Sequence, residues 1–155
     1  MNASVDWMST GQRIGELKMR RSSVKRAMTP PATSVETIAS GWQEVVSDRL
    51  VDLLQLPENW DSYGARAPRW DAANNLVAVL ASIMQRKTPS PSIVPSAEGH
   101  FQAEWHRNGI DLEVEVVAPT KILVSYTDSQ DEWEDELDFD FTRLVSAVKK
   151  LGLAT

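Results

Sequence analysis

The sequence predicts an α+β fold: a four- to five-stranded antiparallel sheet with two N-terminal helices and one C-terminal helix packed on one face. Three observations carry this reading. Only the stretch HFQAEWHRNGIDLEVEVVAPTKILVSYTDSQDEWEDELDFD, residues 100–140, alternates apolar and polar at period two over a long run. The helix-period stripes lie before it and after it, and such grouping of helices and strands marks α+β chains rather than parallel α/β ones. Asn108-Gly109 stands between two alternating runs, and a type I′ hairpin turn needs positive φ at both of its central positions.

Residues 1–32 read as a basic, disordered tail, and residues 33–155 as a single domain. The tail carries Arg13, Lys18, Arg20, Arg21, Lys25 and Arg26 against Asp6 and Glu16, a net +4. The whole chain carries −6, so the remainder carries −10. Thr33-Ser34-Val35-Glu36 is a capping box that starts a helix running to about residue 55. Its stripe is Val35, Ile38, Trp42, Val45, Val46, Leu50, Leu53 and Leu54. The loop LPENWDSYGARAP follows, rich in turn formers. In it Asp61 closes an Asx-type turn, Gly64 takes positive φ, and Trp60 and Tyr63 plug the seam between helix and sheet.

A second helix starts near Pro68, which suits a first helical position. Trp70, Ala73, Val77, Leu80 and Met84 form its stripe, widened by Leu76, Val79 and Ile83. The proline-rich segment after it allows at most a short edge strand around Ile93-Val94. In the first hairpin, setting Arg107 opposite Ile110 puts Phe101, Ala103, Trp105, Leu112, Val114 and Val116 on one face. The third strand continues that face with Ile122, Val124 and Tyr126. The fourth does so with Trp133, Leu137 and Phe139, and its inward Asp135 places it at a sheet edge. The last helix, residues 141–151, turns Phe141, Leu144, Val145 and Val148 inward and stops at Gly152.

The loop NWDSYGARAP, the following helix, PSIVP, a glycine and FQAEW resemble a set of small bacterial and phage proteins with a W-D-S-Y-G-A element, a P-x-x-x-P-x-x-x-G and an E-W strand. The resemblance spans residues 56–117 and implies a bacterial or phage source; it brings no activity with it. Ala103 stands where that strand usually carries a larger apolar residue.

The same register gathers Glu104, Asp111, Glu113, Glu115, Glu132, Glu134, Glu136 and Asp138 on the outer face. Such a surface attracts a basic protein partner. A solvated face, or a divalent-cation site, are the alternatives; residues 128–136 lack the glycine and spacing of a calcium loop. The two histidines, His100 and His106, lie about 20 Å apart along one strand, too far to share a metal. No catalytic residues, cofactor or metal set emerge, so the expectation is a non-enzymatic interaction module of antitoxin, immunity or inhibitor type. The alternatives are a nucleic-acid-associated regulator acting through the tail cations and a small enzyme with its site at the Asp61 loop. A homo-oligomer is compatible with either. The chain has no cysteine, no apolar run long enough to span a membrane and no apolar leader, so a cytoplasmic location is expected.

Overall fold

The computed structural model describes residues 41–153. The basic tail, the capping box and the first two residues of the first stripe lie outside the described residues. Within them the order is α1 (Gly41–Leu53), α2 (Trp70–Ile83), β1 (Ser92–Pro95), β2 (Phe101–Arg107), β3 (Ile110–Ala118), β4 (Lys121–Thr127), β5 (Glu132–Leu137) and α3 (Thr142–Leu153). The strands form one antiparallel meander in sequence order, with β1 and β5 at the edges. Among the described residues, no helix is long and apolar enough to cross a membrane.

The β2–β3 hairpin has the expected register: Trp105 faces Leu112, Ala103 faces Val114 and Phe101 faces Val116. Asn108 and Gly109 take φ of 54° and 72°, as a type I′ turn requires. A register shift between Val116 and Ala118 accommodates the turn at Pro119-Thr120. The inward residues of β2 to β5 join one buried cluster with Val46, Leu50 and Leu53 of α1, with Leu76, Val79, Leu80 and Ile83 of α2, and with Leu144, Val148 and Leu151 of α3. All three helices therefore cover the same sheet face. Each fully buried Leu or Ile contributes about 1.5–3 kcal/mol.

α3 is tied down by polar contacts as well. Asp140 accepts from the Thr142 amide at 2.9 Å and so caps the helix. Arg143 lies 4.0 Å over the Trp133 ring and 3.5 Å from Asp135. The inward Asp135 on the edge strand thus has a cationic partner. Lys150 bonds both Asp128 and the buried Tyr126 hydroxyl, which itself donates to Asp128.

Several sequence expectations need correction. β5 ends at Leu137, and Phe139 is 79% exposed instead of inward. The chain leaves the sheet at Asp138 so that Asp140 can cap α3. α2 begins at Trp70 with Arg69 as its cap residue, so Pro68 precedes the cap rather than opening the helix. Its stripe centres on Leu76, Val79, Leu80 and Ile83, with Trp70, Val77 and Met84 at the margin. Val45 of α1 is more than half exposed. Gly152 does not end α3, which continues to Leu153. A Cβ there would lie 3.2 Å from the Lys87 carbonyl oxygen, so this glycine permits close packing instead.

Candidate functional site

The uncovered side of the sheet follows directly from the pleat. Residues that alternate with the core set point away from the helices. The register lines them up in rows across the strands. One row is Ser92, Glu104, Glu113, Ser125 and Glu134; the next is Val94, Gln102, Glu115, Leu123 and Glu136. A third row sets His106 beside Asp111, and Thr127 beside Glu132.

Glu104 directly opposite Glu113 is a like-charge cross-strand pair, which is destabilising in isolation. The structure answers it with one amide. Gln102 Nε2 donates to Glu104 Oε1 and to Glu113 Oε2, at 3.0 Å each. His106 adds a second link. Its Nδ1 lies 2.8 Å from Asp111 Oδ1 and its Nε2 lies 3.3 Å from Glu104 Oε2. Both ring nitrogens face carboxylates, so the doubly protonated ring is favoured. The hydrogen bond to Asp111, and then that to Glu104, raises the His106 pKa above its usual 6.5. Just before the start of the same strand, His100 Nδ1 stands 3.7 Å from Glu115 Oε1.

Leu123 is exposed near the centre of this face, and an open concavity of about 450 Å³ lies around it. Gln102, Glu113, Glu115, Ser125, Glu134 and Glu136 line that space. The only lysine ion pair on this face, among the described residues, is Lys121 with Glu136, at 3.8 Å. An apolar floor ringed by carboxylates suits a lysine or arginine side chain, whose stem is apolar and whose head is cationic.

Of the sequence-predicted site residues, Glu104, Asp111, Glu113, Glu115, Glu132, Glu134 and Glu136 share this face. Asp138 lies beyond the end of β5 and accepts from the Phe139 amide. The tail cations Arg13, Lys18, Arg20, Arg21, Lys25 and Arg26 lie outside the described residues. Glu104, His106 and Glu113 offer ligand atoms within 4.8 Å of one another, the tightest approach to a metal-binding set among the described residues. Here the Gln102 amide already bridges the two carboxylates. The sequence contained the signal for this set, since the register places His106 two residues from Glu104 and next to Asp111. The separation of the two histidines alone does not reveal it.

The Asp61 loop is a self-contained turn. Asp61 Oδ1 accepts from the Tyr63 amide at 2.8 Å and from the Ala65 amide at 3.0 Å. Asn59 Oδ1 accepts from the Gly64 amide, and the Trp60 indole donates to the Arg66 carbonyl. The Ala65 and Tyr63 amides hold Asp61 below the usual carboxylate range, which makes it a weaker base. The Asx turn and the positive φ of Gly64 are as expected. Tyr63 is not: it is 93% exposed and plugs nothing. Asn59 and Ser62 also take positive φ, and these left-handed residues carry Tyr63 out to solvent. The loop docks on the next motif instead. Arg66 N donates to Ala97 O and Arg69 N to Gly99 O. Gly99 has φ of 87°, and a Cβ there would come 2.9 Å from the Ala67 oxygen. No protein-family model matches the chain, and no curated protein or solved structure does either.

Proposed function

We propose that the protein is a non-enzymatic interaction module, of antitoxin, immunity or inhibitor type, that binds a basic protein through the uncovered face of its sheet. The observation behind this reading is the ring of Glu113, Glu115, Glu134 and Glu136 around exposed Leu123. Carboxylates brought this close repel one another, and a cationic partner relieves that repulsion. Each exposed ion pair contributes only about 0.2–1 kcal/mol. The summed field acts more strongly on encounter, where steering raises on-rates by about tenfold or more. Leu123 supplies the apolar anchor that charge alone lacks. A bacterial cytoplasm, which keeps proteins reduced, fits a chain without cysteine.

Titration of the ¹⁵N-labelled chain with a lysine-rich peptide tests this reading. The amides of Glu113, Glu115, Leu123, Ser125 and Glu134 should shift, and those of α2 should not. A glutamate-rich peptide should shift neither set. Shifts confined to the helical side, or none with either peptide, would overturn the proposal.

A further inference from the structure

We propose that in the free chain this face is occupied by the protein's own basic segment, residues 13–26, so that a basic partner must displace it. The inference rests on the reading that the face takes cationic groups. Three observations support it.

The first is complementarity. The segment contributes Arg13, Lys18, Arg20, Arg21, Lys25 and Arg26, and residues 33–155 carry a net −10. Leu17 and Met19 alternate with Lys18 and Arg20, so apolar side chains for Leu123 come interleaved with cations for its carboxylate ring.

The second is position. α1 packs beside the edge strand β1, and its Arg49 donates to the Ile93 carbonyl at 3.2 Å. α1 therefore lies along the sheet edge that borders the uncovered face. Strands are spaced about 4.8 Å apart, so Leu123 on β4 lies about 14 Å in from β1.

The third is reach. Fourteen residues separate Arg26 from Gly41, a span of at most about 50 Å when extended. A domain of this size is on the order of 35 Å across. The segment can thus round the edge and lie over Leu123. Tethering at this length gives an effective concentration in the millimolar range, so weak contacts suffice to keep the face covered.

This arrangement makes the segment a competitor. A partner with few cations is excluded, and one that presents more of them, or a better anchor than Leu17 and Met19, displaces it. Selectivity then comes from the competition as well as from the face.

The test uses the full chain, whose lack of cysteine allows one label at Ser22→Cys. A nitroxide there should broaden the amides of Glu113, Glu115, Leu123, Ser125 and Glu134 at low salt. The effect should be lost near 1 M salt, where the screening length is about 3 Å. It should also be lost when Glu113, Glu115, Glu134 and Glu136 are replaced by Gln. Mixing nitroxide-bearing unlabelled chain with ¹⁵N chain lacking nitroxide should give no broadening. Broadening in that mixture would mean docking between copies and overturn the intramolecular arrangement. If a lysine-rich peptide shifts the face but the nitroxide leaves it sharp, this inference fails and the proposed function stands. If neither reaches the face, both fail.

Discussion

Replacing Gln102 by Met removes the amide that bridges Glu104 and Glu113 while keeping the side chain's length and shape. The two carboxylates stay directly opposite each other, and the Glu104 side chain is only 21% exposed. Carboxylates about 5 Å apart repel by about 1–3 kcal/mol for an effective dielectric between that of water and that of a protein surface. Gln102 offsets this with two hydrogen bonds of 3.0 Å. At a half-exposed site each contributes about 1 kcal/mol net, so the substitution costs about 2 kcal/mol. For a domain of this size Tm falls by roughly 6–10 °C. Thermal and urea unfolding at low salt measure it. A double-mutant cycle isolates the cause. In a Glu113→Gln background the like-charge pair is gone and only the bond to Glu104 is certain to be lost, so Gln102→Met should cost about 1 kcal/mol, half its cost in the wild type. An equal cost in both backgrounds would show that the amide merely packs on the sheet and does not hold the two acids together.

Three further outcomes follow from the geometry. His106 should titrate above 6.5 by NMR, and Asp111→Asn should bring it back toward that value. Because the folded pKa is raised, the stabilisation is complete below pH 6.5 and disappears as pH rises through the folded value. His106→Asn should therefore lower Tm at pH 5.5 and leave it unchanged at pH 9. Gly99→Ala forces a Cβ onto the Ala67 oxygen at positive φ and should cost about 1–3 kcal/mol by urea unfolding. Asp61→Ala should lower Tm by leaving the Tyr63 and Ala65 amides without their acceptor, while Asn at the same position keeps an oxygen there and lowers it less. Asp61 has a lowered folded pKa, so its contribution holds above about pH 4 and is lost as pH falls through that lowered value. Peptide binding to the sheet should survive both Asp61 substitutions.

The sheet was legible because its signals are local and redundant. Asn108-Gly109 sets the turn, and alternation sets the face. A slip of one residue would bury Glu104 and Glu113, so only one register survives. From that register the like-charge pair and the acidic rows follow without coordinates. What the sequence hid depends on competition between neighbouring signals. Phe139 continues the alternation of Trp133 and Leu137, yet Asp140 caps α3 and pulls the chain out of the sheet first. Tyr63 carries the apolar bulk of a core residue. Its direction, however, is set by Asn59 and Ser62 in left-handed backbone, which no pattern of hydrophobicity reports. Gly152 looks like a helix stop, but its reason lies in Lys87, far away in sequence. The Gln102 bridge and the two-sided pairing of His106 depend on side-chain conformation, which spacing does not specify.

The claim that the sheet face recruits cations electrostatically is tested most directly by an association rate. The measurement uses the full chain with Arg13, Lys18, Arg20, Arg21, Lys25 and Arg26 replaced by Gln, so that its own segment does not compete. A lysine-rich peptide is mixed with this chain by stopped flow, with and without Gln at Glu113, Glu115, Glu134 and Glu136. At about 10 mM salt the screening length is about 30 Å, and at 0.15 M it is about 8 Å. The four-Gln change should slow association tenfold or more at the lower salt, and the gap should narrow at the higher. Equal on-rates at low salt would contradict the account and reduce the acidic face to a solvated surface.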